Sequence, residues 1–420
     1  MKAKNIINYV KEYGKKTCAE YPFCETDALV LSRFVYFRWA KSVPMLLEDT
    51  EGVCLSDIYE NIDKEYVYKN ELYPENDGKL LAAMAKSVRF GSMRCNYYSE
   101  QTDEGIVMQF GAMLCQMEGA LPVILFKGTD RTLVGWKEDF YMAFSKPISG
   151  QRVAAWYLNE VAQKIEGRFI VAGHSKGGNL AAFSSMAAFS EVKDRIEAIY
   201  SFDGPGFRPE ILESYGYDEI ADRVKKYMPS TSLVGIVLEG SKDYTAVKCD
   251  AVTGALAHNP YKWIIEKGTF VKESDIGMKS HIMHKSLNEW IMELDEEQLQ
   301  LVVNNLFGIL ESTDEPDFGS IIANWRSAAA KMRKTIAHMD KEQRKNILAI
   351  IKALLEELRK AYVDSSAVIE EIRQVEEIIE DRISNGKEKV SARLEKKNRS
   401  QKNGTGSKGI ERGTDGDSTV

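Results

Sequence analysis

The chain reads as an α/β protein: a mostly parallel central sheet with an antiparallel start, preceded by helices and followed by a helical extension. Three observations predict this. From Phe90 onward, short apolar or alternating runs are separated by turn residues, the pattern of successive strands. Beyond Val123 such runs alternate with helical patterns, which marks βαβ units and a parallel sheet. Between Arg168 and Phe183, a short apolar run meets a Gly-x-Ser-x-Gly turn and then a helix rich in small residues.

Residues 1–89 are expected to form an N-terminal helical segment packed on the core. Asn5 to about Leu47 reads as two helices joined by the Tyr21–Asp27 turn, with Thr26 or Asp27 as cap of the second. A polar, acidic stretch from Glu48 to Asp77 follows, and Leu80 to Ser87 reads as a short helix.

The core is expected over residues 90–275. Met93 to Tyr98, Gly105 to Cys115 and Val123 to Phe126 are predicted strands with hairpin-like links. A helix over Val153 to Ile165 leads into the strand Phe169 to Ala172. After the helix that follows, Ile196 to Phe202 and Val224 to Met228 are further strands. Ligands of such sheets sit at the carboxyl ends of the strands, which is where Ser175 and Asp203 both fall.

Residues 276–383 carry helical patterns, at Leu287 to Leu294, Gln298 to Leu310, Ile321 to Met339, Ile347 to Tyr362 and Ala367 to Ile383. The last two are charged on one face, which suits self-association or a protein partner. Residues 384–420 have almost no apolar content and read as a disordered tail.

The formal charge of −7 argues against a nucleic-acid binder, which needs a concentrated basic face. The six cysteines (Cys18, Cys24, Cys54, Cys95, Cys115 and Cys249) form no C-x-x-C pair and have no histidine at metal-ligand spacing, so reduced thiols of a cytoplasmic protein are expected. No secretion signal and no membrane-spanning apolar run is visible, and no cofactor or metal is expected.

Gly173-His174-Ser175-Lys176-Gly177-Gly178 has the form of a strand-to-helix elbow that presents a serine nucleophile. A side chain at Gly173 or Gly177 would collide as the chain doubles back, and Gly178 lets the helix begin close to the sheet. The structural alternative is a tight βα turn with a buried serine. A serine hydroxyl needs an imidazole to take its proton, and the chain has five histidines. His174 adjoins the serine and should point to the other side of the turn as a packed residue. His338 sits inside a late helix. His281 and His284 share a helical face with no third metal ligand evident. His258, in a loop before an aromatic-rich turn, is the candidate base. The candidate acid is Asp203, flanked by glycine at the end of the next strand, with Asp243 as the alternative and Asp250 near it. Either choice keeps the chain order Ser, Asp, His. Val123 to Phe126 ends at Lys127-Gly128-Thr129-Asp130, a strand end that can aim backbone N–H groups at a developing oxyanion.

On these residues the chain resembles the α/β-hydrolase superfamily, most closely its fungal-type lipase branch (class 3), and a bacterial lipase-like family of unknown function. The carriers are Phe126-Lys-Gly-Thr129 with Trp136 and Asp139, the Gly173–Gly178 elbow, and His258 followed by Pro260 and Trp263. The resemblance spans roughly Asp103 to Lys267 and, for the bacterial family, also Pro22-Phe23 and Thr26-Asp27. It implies an α/β-hydrolase fold and a serine hydrolase of ester or thioester bonds, with the Thr129 and Lys176 N–H groups as oxyanion hole. Two departures stand out. The lipase pattern puts its acid in the loop at Pro229 to Val234, where this chain has Ser230, Thr231 and Ser232. Lys176 replaces an apolar residue and would put a cation beside the oxyanion hole. The rival reading is a non-catalytic hydrolase-like scaffold that binds a protein partner through its helical regions.

Overall fold

Side chains along a strand alternate between the two faces of a sheet, and here both faces are apolar. Val123, Leu125, Ile170, Ala172, Ala198 and Tyr200 enter one core, while Ile124, Phe126, Phe169, Val171, Ile196 and Ile199 enter the other. Such a sheet must be covered on both sides. The computed structural model describes residues 4–315 apart from 49, 70, 144–145, 233, 239–243, 252–253, 278–287 and 289–294, with scattered positions between 320 and 334. The chain divides into units Met1–Asp364 and Ser365–Val420, and the described residues lie in the first.

The main sheet has eight strands: β1 (Val53–Cys54), β2 (Arg94–Asp103), β3 (Met108–Gln116), β4 (Val123–Phe126), β5 (Phe169–His174), β6 (Ile196–Phe202), β7 (Val224–Pro229) and β8 (Tyr244–Val247). They lie side by side in sequence order. Pairing is antiparallel from β1 to β4 and parallel from β4 to β8, the sheet of an α/β-hydrolase fold with an antiparallel start. β9 (Ile265–Glu266) and β10 (Thr269–Phe270) make a separate hairpin.

The helices are α1 (Ile6–Tyr13), α2 (Glu25–Phe34), α3 (Leu55–Glu60), α4 (Lys64–Val67), α5 (Pro74–Ala85), α6 (Val88–Gly91), α7 (Leu133–Tyr141), α8 (Ser149–Lys164) and α9 (Lys176–Met186). Parallel crossovers share one hand, so in a sheet wound in a single direction they fall on one face. That face carries α8 and α9. The opposite face is covered by the N-terminal chain, with α2 against β4, β5 and β6, and α1 and α5 packed nearby. The helix Glu296–Glu311 begins directly after Asp295 and packs on α7, with Phe140 and Phe307 at 5.5 Å and Lys137 paired with Glu311 at 2.9 Å.

Several boundaries differ from the sequence reading. The polar stretch before Asp77 contains β1, α3 and α4, and α5 starts at Pro74, whose fixed φ suits a first helical turn. The helix that follows the Gly-x-Ser-x-Gly turn begins inside that turn, at Lys176. Cys24, rather than Thr26 or Asp27, occupies the N-cap of α2. Asp27 stands three residues on and reaches back to the Cys24 N–H at 3.1 Å, while Thr26 donates to the Gly268 carbonyl at 2.8 Å. The expected helices Leu287 to Leu294, Ile321 to Met339, Ile347 to Tyr362 and Ala367 to Ile383 lie wholly or largely outside the described residues, as do the tail and His281, His284 and His338. Among the described residues no helix is long and apolar enough to cross a membrane, and no cluster of potential metal ligands is present.

Beneath α2, charge is buried in pairs. Asp27 accepts from Arg89 Nε at 2.7 Å and Tyr9 Oη at 2.9 Å, and Arg33 donates through Nε to Asp77 at 2.8 Å. Asp27→Ala would strand a fully buried guanidinium and should cost about 3–5 kcal/mol. Urea denaturation measures this, and a loss below about 1 kcal/mol would show that solvent or a rearranged carboxylate replaces Asp27.

Candidate active site

The elbow is a steric consequence of close approach. A β-carbon on Gly173 would stand 2.1 Å from the Gly177 carbonyl oxygen, and one on Gly177 would stand 2.2 Å from the Phe126 carbonyl oxygen. One on Gly178 would meet Ser201 Oγ at 2.7 Å. Ser175 sits between β5 and α9 with φ 61° and ψ −133°, a conformation that costs a non-glycine residue about 1–3 kcal/mol. The surroundings impose it: Ser175 N–H donates to the Phe202 carbonyl at 2.9 Å, and its own carbonyl accepts from Gly178 and Asn179. Asn179 is buried and donates to the carbonyls of Pro205 and Gly206 at 3.1 and 2.9 Å, locking α9 to the loop after β6.

That loop begins with Asp203, fully buried and also at positive φ, 50°. Its Oδ2 lies 2.7 Å from His258 Nδ1. A carboxylate accepts, so Nδ1 is the protonated nitrogen and Nε2 presents its lone pair. Oδ1 accepts from Ser232 Oγ and, at 3.1 Å, from Gly235 N–H. Ser232, from the loop where a lipase-type acid was expected, therefore braces Asp203 at the end of the neighbouring strand. Lys226 Nζ holds the Gly235 carbonyl at 2.8 Å, and burial pushes its amine down to about 8 against the opposing pull of Asp203. Asp243 lies outside the described residues.

His258 is carried into the site by its flanks. Trp263, wholly buried, donates Nε1 to the Ala257 carbonyl at 2.9 Å, and Asn259 Oδ1 accepts from Tyr261 N–H at 2.9 Å. The His258 side chain keeps 20% of its surface exposed while that of Asp203 keeps none, so the imidazole faces the open side of the pair. Its ring is hydrogen-bonded through Nδ1 alone among the described residues, and no hydrogen bond joins it to Ser175 Oγ there.

The second wall is the end of β4. The ideal β-carbon position of Gly177 is 3.1 Å from Gly128 N, which sets the start of α9 against the Gly128-Thr129 segment. Thr129 is buried, and its hydroxyl donates to Asp139 on α7 at 2.6–2.7 Å. α9 has no side-chain cap, so the Lys176 amide is one of its unsatisfied first-turn donors.

The Lys176 side chain corrects the expectation of a cation at the oxyanion wall. It is wholly buried, and its Nζ donates to Glu138 Oε2 at 2.8 Å, Gln109 Oε1 at 2.7 Å and the Gln109 carbonyl at 2.8 Å. Glu138 also accepts from the Gln109 and Gly150 N–H groups at 3.0 and 2.8 Å. All three ammonium protons have acceptors, and a buried carboxylate neutralises the charge. The contacts of Glu138, Ser232, Asn179 and Tyr36 are not announced by the sequence. Only the Ser-Thr-Ser run in the lipase-acid position hinted at one of them.

Burial pushes the Asp139 carboxyl up to about 6 from its ordinary 3.8, with Lys176 and the Thr129 hydroxyl pulling the other way. An acid with a raised folded pKa binds protons more readily folded than unfolded, so its stabilising contribution is present below 3.8 and lost as pH rises through about 6. The stability of Asp139→Asn relative to wild type should therefore rise from about pH 4 to about pH 6 and then level off. Denaturant midpoints across that range check it; a flat or falling difference would refute the shift.

Residues 84–308, more than half of the chain, match the sequence pattern of the family described as Mbeg1-like. No curated protein matches. Among solved structures, the crystal structure of M37 lipase is 15% identical, with 64% of this chain and 80% of that chain covered at a TM-score of 0.32. Strand order and pairing carry the fold. By the extent of the sequence match, this chain belongs to the Mbeg1-like family.

Proposed function

We propose that the protein is a lipase-like serine hydrolase of ester or thioester bonds. The observation that carries this reading is the Asp203–His258 contact of 2.7 Å at the carboxyl edge of the sheet that presents the strained Ser175. Ser175 Oγ attacks the acyl carbon while His258 Nε2 takes its proton. His258 then returns the proton to the leaving oxygen or sulfur, and water repeats the cycle to release the acid. Asp203 holds the tautomer with Nδ1 protonated and stabilises the imidazolium. The Thr129 and Lys176 N–H groups receive the oxyanion, and the Thr129 hydroxyl bond to Asp139 fixes that wall. The Ser175–His258 hydrogen bond closes when substrate is bound, as such bonds do in many enzymes whose free state is loose. With the Lys176 charge consumed by Glu138, the oxyanion wall suits a neutral acyl group.

The protein should be labelled at Ser175 by a fluorophosphonate probe and should hydrolyse nitrophenyl esters of some chain length. Ser175→Ala should abolish both, and Asp203→Asn should lower kcat by about 10⁴-fold by favouring the wrong tautomer. A folded wild-type protein that neither reacts with the probe nor cleaves any ester of a graded series would favour the non-catalytic scaffold.

A further inference from the structure

His174, the residue before Ser175, is buried and makes contacts that the acyl-transfer chemistry does not use. Its Nε2 lies 2.8 Å from the His258 main-chain oxygen and its Nδ1 lies 3.0 Å from Tyr36 Oη. The His174 and His258 rings lie close, tilted by 33° with centroids 4.6 Å apart. A carbonyl only accepts, so Nε2 must carry the proton. A neutral imidazole has one N–H, so Nδ1 accepts from Tyr36. The two histidines therefore hold opposite tautomers, each set by a partner that only accepts: His258 by the Asp203 carboxylate, His174 by the His258 carbonyl.

Tyr36 lies just beyond α2, on the face of the sheet covered by the N-terminal helices. Its hydroxyl is also 3.1 Å from the His174 carbonyl, and a β-carbon on Gly128 would stand 1.9 Å from it. One hydroxyl thus touches the elbow strand, the oxyanion segment and, through His174, the loop that carries His258.

We propose that Tyr36 and His174 are positioning residues of the candidate site: Tyr36 seats the His174 ring by donating to Nδ1, and the His174 Nε2–H holds the His258 main chain so that its imidazole can reach Ser175. This rests on the serine-hydrolase reading. The groups facing His174 are Tyr36, His258 and, further off, Arg33. Burial, reinforced by His258 and Arg33, keeps His174 well below the ordinary imidazole range, and burial raises the Tyr36 hydroxyl. A neutral His174 also spares the imidazolium formed at His258 a second cation beside it.

Glutamine and asparagine at position 174 separate positioning from packing. A glutamine amide can reach the His258 carbonyl as Nε2 does, whereas an asparagine amide reaches only toward Tyr36. In the full chain, His174→Gln should keep the fluorophosphonate labelling rate within about fivefold of wild type, while His174→Asn and Tyr36→Phe should slow it by about 10–100-fold, the scale of a misplacement near 1 Å. Circular dichroism confirms that each variant is folded. Imidazole ¹⁵N spectra give a readout independent of activity. Wild type should show His174 as the Nε2–H tautomer and a downfield proton from the His258–Asp203 bond. That signal should persist in His174→Gln and exchange away in His174→Asn. Equal rates and equal spectra for folded Gln and Asn variants, or an Nδ1–H tautomer at His174, would overturn the proposal. If wild type resists the probe while the spectra behave as expected, the hydrolase reading fails and the positioning role stands.

Discussion

Because β4 to β8 follow one another in space as they do in sequence, their crossover helices share one face of the sheet, and the other face is an apolar surface that the crossovers cannot reach. The N-terminal chain resolves this constraint, and much else follows from how it does so. α2 is buried along nearly its whole length, so its charged side chains must be paired within the protein: Asp27 with Arg89, and Arg33 with Glu71 and Asp77. The same placement delivers Tyr36 to the carboxyl edge of the sheet, beside Gly128 and His174. A covering element thereby becomes part of the candidate site.

The site itself is an arrangement of buried charges, each neutralised at a different depth. Lys176 is drawn down the α9 side of the sheet to Glu138 and Gln109, so the cation adjacent to the serine in sequence is turned away from it in space. Asp203 takes its support from Ser232 and Gly235 across the β6–β7 edge. In low dielectric an incompletely satisfied carboxylate is costly, and those donors make a buried acid at β6 tenable. Thr129 and Asp139 provide a polar link between the Gly128-Thr129 segment and α7.

Much of this was legible before the structure. Phe169 to Ala172 and Ile196 to Phe202 are apolar runs whose strand character is local, and both strands stand where the periodicity put them. The elbow was visible because its glycines are demanded by contacts within the motif itself, as between Gly173 and Gly177. β1 was not legible: two residues in a polar stretch have no pattern of their own and exist through pairing with Arg94 and Cys95. The start of α5 at Pro74 was missed because its first turn is polar and reads as loop until Asp77 is seen bonded to Arg33 and Tyr261.

The sequence by itself determined the central strands β2 to β7, the strained turn at Ser175 and the succession Ser175, Asp203, His258, because these depend on periodicity, glycine sterics and chain order. Only the tertiary structure decided where each charge and proton goes. Nothing local to Lys176 announces Glu138, which lies 38 positions earlier in the chain, and nothing local to His174 announces Tyr36, 138 positions earlier. Hydrogen bonds and ion pairs act over a few ångströms, and their partners are chosen by the packing of the sheet rather than by neighbours in the chain. The Gly-x-Ser-x-Gly string therefore identified the turn and the packed side of its histidine, while the fold decided which way its lysine faces and which partners its histidine takes.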